Sequence, residues 1–82
     1  MIYNLIYTNS YIKQASKFVK KHPDLISQYE KILMLLEIDP NHPSLRLHSL
    51  KGKLKDLHSV SINVSYRITL EFIIIKKEII LV

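Results

Sequence analysis

The hydrophobic pattern of this 82-residue chain changes its period once, across the stretch 39–44. Upstream, apolar residues recur every three or four positions, as in helices that bury one face. Downstream, apolar and polar residues alternate one by one, as in strands with one face in a core. A chain that is helical in one half and sheet-forming in the other predicts an α+β fold with a mostly antiparallel sheet.

The first half predicts one strand and two helices. The apolar run 2–7 is rich in β-branched and aromatic side chains and predicts a strand, and the N-cap residue types at 8–10 predict that a helix begins there. Pro23 ends this helix, because the residue before a proline is disfavoured in the α conformation, and it can begin the next helix. So short a break predicts an antiparallel helical hairpin, which the turn-forming stretch 39–44 ends.

The second half predicts three strands. Alternation over 59–64 and 65–72 indicates two strands, with a weak turn signal at 63–65 between them. The charged residues 76–78 interrupt the apolar run and predict the next hairpin, and 79–82 predicts the last strand. The expected order is strand, helix, helix and then a three-stranded, mostly antiparallel sheet.

Size and composition limit the class of protein. Eighty-two residues make one domain, 1–82, and 48% apolar residues suffice for one core. The absence of cysteine excludes a disulfide framework and a thiolate metal site, which fits a reducing cytoplasm. No stretch approaches the roughly 20 apolar residues that cross a bilayer, and the start lacks a basic leader region. We therefore expect a cytoplasmic protein that does not bind a membrane.

A strong basic bias points to an anionic partner. The formal net charge is +5, and Lys51, Lys53 and Lys55 recur at every second position, with Arg46 nearby. In an extended segment these three lysines share one side and could each neutralise a phosphate of a nucleic-acid backbone. An acidic protein is the other anionic partner that such a charge favours. The alternative is a solvated loop whose lysines keep the protein soluble.

Arg67 lies on the polar side of its predicted strand, in line with Thr69 and Glu71. A guanidinium group there could hold a phosphate at two points and stabilise charge that develops on it. The alternative is a surface ion pair with Glu71, which would add little stability.

Two of the four histidines are candidates for proton transfer. His48 and His58 flank the lysine-rich segment, and imidazole can accept and donate a proton near neutral pH. His22 and His42 each precede a proline and are expected to have structural roles. The four histidines lack metal-ligand spacing, so we expect no metal and no cofactor.

Five short motifs resemble a known family when taken together. They are Tyr-Thr-x-Ser-Tyr-Ile-Lys at 7–13, Lys-Lys-His-Pro-Asp-Leu at 20–25, Asp-Pro-x-His-Pro-Ser-Leu at 39–45, His-Ser-Leu-Lys-Gly-Lys-Leu-Lys at 48–55 and Tyr-Arg-Ile at 66–68. Their order and spacing resemble the RelE/ParE superfamily of toxins from bacterial type II toxin–antitoxin modules, and its RelE/YafQ-like branch in particular.

This resemblance implies a helical hairpin on a small sheet, and a toxin that cuts mRNA in the ribosome and is neutralised by a partner antitoxin. By position, Arg67 would stabilise the phosphate and His48 would act as a base or an acid. His58 falls where RelE has a functional lysine. The residues implied to bind the RNA backbone are Arg46, Lys51, Lys53 and Lys55.

The family pattern also leaves alternatives open. Its members usually continue past the last strand into a segment that completes the site, whereas this sequence ends at Val82, so we expect a domain without that segment. The expected activity is an mRNA endonuclease. A toxin remnant that only binds antitoxin or RNA, or a gyrase inhibitor of the ParE type, are the alternatives.

Overall fold

The computed structural model describes residues 2–50 and 57–82, and within them two helices lie against a five-stranded sheet. In chain order the elements are β1 (Asn4–Tyr7), α1 (Asn9–Lys21), α2 (Ile26–Ile38), β2 (His48–Ser49), β3 (His58–Ser61), β4 (Arg67–Ile73) and β5 (Glu78–Leu81). One-turn 3-10 helices, Pro23–Leu25 and Pro43–Leu45, precede and follow α2. The predicted α+β order is confirmed, and the two-residue strand β2 is an addition that the pattern did not predict.

Helix α1 begins where the N-cap residue types lie. The hydroxyl of Thr8 accepts a hydrogen bond from the Tyr11 N–H at 3.1 Å and donates one to the Leu81 carbonyl at 2.8 Å. The cap therefore satisfies a free N–H of the first turn and ties the helix to the last strand. The helix ends at Lys21, just before the Pro23 that was predicted to stop it.

The strand order in the sheet is β1-β5-β4-β3-β2, which places β4 at the centre. Strand β1 runs parallel to β5, and the other three pairs are antiparallel. In the β3–β4 pair, Val60 lies opposite Ile68 and Ser61 lies opposite Arg67. Because directly opposed residues share a face, this register decides which side chains meet on each side of the sheet.

One face of the sheet packs on the helices. Ile68 and Leu70 of β4 are buried there against Ile32 and Leu36 of α2. The whole buried apolar cluster consists of Tyr11, Tyr29, Ile32, Leu36, Leu45, Val60, Ile62, Ile68, Leu70, Ile79 and Leu81. Neither helix in the described ranges is long and apolar enough to cross a membrane.

The opposite face of the sheet, which we call the open face, carries polar side chains next to β2. Alternation along β4 and the register of its neighbours assign residues to this face. They are Arg67, Thr69 and Glu71 of β4, Ser59 and Ser61 of β3, and His48 of β2. The fold thus separates an apolar helix-covered face from a face that can meet a polar ligand.

Two tyrosines form a polar contact inside the core. The hydroxyl groups of Tyr11 and Tyr29 share a hydrogen bond between α1 and α2, and Phe18 packs on the Tyr29 ring at a centroid distance of 5.5 Å. Burial raises the pKa of Tyr11 above its ordinary value, and the hydrogen bond to Tyr29 raises it further. Burial also raises the pKa of Tyr29. Both rings are therefore held in the neutral form when the protein is folded.

A double-mutant cycle tests this contact. Tyr11→Phe leaves the Tyr29 hydroxyl buried without its partner, so we expect a loss of about 1–3 kcal/mol in the free energy of unfolding. Replacing both tyrosines with phenylalanine should recover most of that loss, because neither hydroxyl is then left unpaired. Urea unfolding followed by circular dichroism measures all variants. Equal losses in the single and the double variants would contradict the pairing.

The same cycle has a pH signature. Since the folded-state pKa values of the pair are raised, their contribution to stability is fully present below the ordinary tyrosine value of 10.0 and is lost as the pH rises above it. The wild-type free energy of unfolding should therefore fall more steeply above pH 10 than that of the double phenylalanine variant.

Candidate active site

Arg67 opens strand β4, and three hydrogen bonds fix its side chain on the open face. Its Nε donates a hydrogen bond to Ser59 Oγ at 2.9 Å, and its Nη2 donates to the Arg46 carbonyl at 2.7 Å and to the Ser59 carbonyl at 3.2 Å. All three acceptors are neutral oxygens, so the described neighbours orient the guanidinium without cancelling its charge. The geometry favours this arrangement over the alternative ion pair with Glu71.

The free side of the guanidinium points to a role in anion binding. An arginine carries five N–H donors, and the three bonds to Ser59 and Arg46 involve only Nε and Nη2. The two donors of Nη1 make no hydrogen bond to any described residue. Because the side chain is exposed, a phosphate can approach this nitrogen without displacing a structural contact.

His48 lies on the same face, directly opposite Ser59 in the β2–β3 pair. Side chains opposed in this way have Cβ atoms about 5 Å apart. Ser59 therefore lies between the two predicted site residues: its hydroxyl holds Arg67, and its cross-strand neighbour is His48. The register thus places this arginine and this histidine on the same face of the sheet, and their catalytic roles stay a prediction.

Arg46 is also exposed, and its backbone contacts the side chain of Arg67. Its backbone has φ 49° and ψ 54°, in the left-handed region that costs a non-glycine residue about 1 kcal/mol or more. This conformation follows the Pro43–Leu45 turn and presents the carbonyl that accepts from Arg67. The backbone of Arg46 thus helps to orient the guanidinium of Arg67.

His58 lies on the other side of the sheet. It is paired with Leu70, a core residue, and its ring packs edge-on against Phe72 at a centroid distance of 5.1 Å. Its Nδ1 is buried and has no hydrogen-bond partner in the part of the chain that the structure describes. The structure therefore separates His58 from Arg67 and His48, and its predicted role in proton transfer stays a prediction.

The three predicted RNA-binding lysines, Lys51, Lys53 and Lys55, lie outside the described residues. On either side of them, the Leu50 N–H donates to the Leu57 carbonyl at 2.8 Å, next to the β2–β3 pair. Among residues 2–50 and 57–82, no three His, Asp or Glu side chains come together in a group that could hold a metal ion.

Two supports of Arg67 escaped the sequence analysis. One is Ser59, whose hydroxyl accepts a hydrogen bond from Arg67 Nε. The other is Tyr66, whose ring packs against the rings of Phe18 and His22 at centroid distances of 5.0 and 4.8 Å. These contacts hold the start of β4 against the helices. Neither contact has a local sequence signal, because each joins segments that are distant in the chain.

Comparisons with known proteins agree with this fold. No family model matches the sequence, and no curated protein matches it. A copper-bound mutant toxin from Helicobacter pylori matches in structure with a TM-score of 0.74 at 27% identity, over 100% of this chain and 90% of its own. YafQ from the E. coli DinJ–YafQ toxin–antitoxin complex matches with a TM-score of 0.76 at 14% identity, over 99% of this chain and 88% of its own.

A YoeB/ParE toxin from Agrobacterium tumefaciens also matches, with a TM-score of 0.75 at 12% identity, over 96% of this chain and 92% of its own. Together these structures show that the chain has the fold of such toxins, the RelE-like fold. The resemblance drawn from the five sequence motifs is thereby confirmed at the level of the fold.

The role of Ser59 can be tested against a matched serine. Ser59 and Ser61 are both buried, at 4% and 7% exposure, but the hydroxyl of Ser61 donates to the Asn63 carbonyl and accepts no hydrogen bond from a described arginine. We expect Ser59→Ala to weaken the binding of inorganic phosphate about fivefold, because Arg67 loses one orienting hydrogen bond. Ser61→Ala should leave phosphate binding unchanged. A nuclear magnetic resonance titration measures both, and equal effects would refute the orienting role.

Proposed function

We propose that this chain is the toxin of a type II toxin–antitoxin module and that it acts as an endoribonuclease on mRNA in the ribosome. The shared fold supports a toxin role, since YafQ has been solved together with its antitoxin DinJ. By the same argument, the physiological partner of this chain is a cognate antitoxin protein.

One observation carries the ribonuclease proposal. On the open face, Arg67 is fixed by neutral oxygens with one nitrogen free, and His48 lies one cross-strand position away from the serine that holds it. A phosphate bound at Nη1 of Arg67 would lie within reach of an imidazole. Cleavage of RNA needs this combination of a fixed positive charge and a proton acceptor.

The reaction follows from these two groups. His48 takes the proton of a ribose 2′-hydroxyl as its oxygen attacks the adjacent phosphorus. The new P–O2′ bond forms while the P–O5′ bond breaks, and the leaving 5′-oxygen takes a proton from water. Arg67 stabilises the negative charge that builds up on the non-bridging oxygens, while Arg46 would bind the RNA backbone. The products are a 2′,3′-cyclic phosphate and a 5′-hydroxyl end.

The openness of the site supports the ribosome as the place of action. His48 and Arg67 are both exposed, so this face alone does little to hold an RNA strand in the attacking geometry. A large assembly that already positions mRNA would supply that order. The net charge of +5 favours association with such a polyanion, and Lys51, Lys53 and Lys55 would hold the RNA backbone. Action on translated mRNA places the protein in the cytoplasm.

Induced expression in bacteria tests the proposal. The wild-type chain should stop translation and leave cuts in translated mRNA. In a reconstituted translation system, Arg67→Ala should lower the cleavage rate about 10²- to 10³-fold, because it removes the fixed charge. His48→Gln should lower the rate about 10²-fold or more, because it removes the proton acceptor.

Two control variants sharpen this experiment. Lys21→Ala removes an exposed positive charge on α1 and should leave cleavage unchanged. His58→Gln removes the other candidate imidazole and should lower stability more than the cleavage rate, because it lies on the helix-covered face. Intact mRNA together with a loss of DNA supercoiling would contradict the proposal and favour the gyrase alternative.

A further inference from the structure

A small cleft adjoins the candidate active site at the end of the sheet. It lies where α2, the Pro43–Leu45 turn and the end of β3 meet, and its cavity volume is about 180 Å³. Drug-sized ligands occupy roughly 300–1,000 Å³, so this cleft fits a single ring system and not a longer segment of RNA.

Two residues that line the cleft are neighbours of Arg67. Arg46 lines the cleft, and its carbonyl accepts the 2.7 Å hydrogen bond from Arg67. Ser61 also lines the cleft and lies directly opposite Arg67 in the β3–β4 pair. A nucleotide whose phosphate is held by Arg67 would therefore have this cleft beside it.

The cleft offers both hydrogen-bond donors and acceptors. The amide of Gln28 is fixed by its Nε2, which donates to the Ile62 carbonyl at 3.3 Å, and its Oε1 remains an acceptor. The Oδ1 of Asn63 accepts from two backbone N–H groups at 2.9 Å, and its NH₂ group remains a donor. The Ser44 hydroxyl can do either. A phosphate needs donors alone, whereas the edge of a nucleobase needs a mixed set.

The walls of the cleft also suit a base. Val64 stands at the rim with 93% of its surface exposed and gives an apolar surface against which a ring can lie. None of the described residues that line the cleft is acidic, so a phosphate attached to the base would not be repelled. Asn63 is held rigidly by its own turn, which makes the cleft largely pre-formed.

We propose that this cleft binds the nucleobase next to the phosphate held by Arg67, and that its amide groups set the sequence preference of cleavage. The proposal rests on the ribonuclease function proposed above. It assigns Gln28 and Asn63 to reading the base, a task separate from the chemistry at Arg67 and His48.

Titration with small ligands followed by nuclear magnetic resonance tests the proposal without cleavage. The probes are inorganic phosphate, adenosine 3′-monophosphate and uridine 3′-monophosphate. We expect at least one nucleotide to bind about fivefold or more tightly than inorganic phosphate, because it adds hydrogen bonds in the cleft. The side-chain amide signals of Gln28 and Asn63 should shift with that nucleotide and not with inorganic phosphate.

A matched pair of double variants separates the cleft from general effects. Ser44→Ala with Val64→Ala removes two lining side chains, whereas Ser27→Ala with Ile75→Ala removes equally exposed side chains outside the cleft. The first pair should reduce the advantage of the nucleotide over phosphate, and the second should preserve it. If wild-type protein binds inorganic phosphate as tightly as it binds the nucleotides, the proposed base site is wrong but the phosphate site is not. Failure of both phosphate and nucleotides to bind would contradict the ribonuclease proposal as well.

Discussion

The register between β3 and β4 is the constraint on which the site depends. It places Ser59 opposite Thr69 and Ser61 opposite Arg67, so that the hydroxyl of Ser59 can accept from the guanidinium. A slip of one residue would turn β3 over, send its serines into the core and expose Val60. Because Val60 and Ile68 are opposed and buried, the core itself resists that slip.

The position of Arg67 in turn explains how a small domain can hold a charge ready for a ligand. Burying an unpaired cation would be costly, and pairing it with a carboxylate would cancel its attraction for an anion. Here the side chain stays exposed, and neutral oxygens of Ser59 and Arg46 fix its direction. Such neutral supports orient the donor in advance, which is the condition for stabilising charge as it develops.

The sequence predicted the elements of the fold well, because their signals are local. Pro23 and the N-cap types at 8–10 marked the ends of α1, and the alternation of apolar residues marked β3 and β4. Strand β2 escaped prediction, since two residues are too few for a periodic pattern.

The candidate site was harder to predict from the sequence, because strand pairing decides which residues share a face of the sheet. His48 and His58 were equal candidates by residue type and spacing. In the sheet, however, His48 lies opposite Ser59 and His58 lies opposite Leu70. The two imidazoles therefore lie on opposite sides of the sheet. The hydrogen bond between Ser59 and Arg67 depends on the same register, and no local sequence motif predicts it.

The most direct measurement is a crystal structure of the protein with a short RNA that carries a 2′-deoxy sugar at one position and so resists cleavage there. We expect the adjacent phosphate to contact Nη1 of Arg67 on the open face, with the deoxyribose C2′ facing the imidazole of His48. A phosphate bound to the helix-covered side, or on the open face with His48 turned away from the sugar, would contradict it.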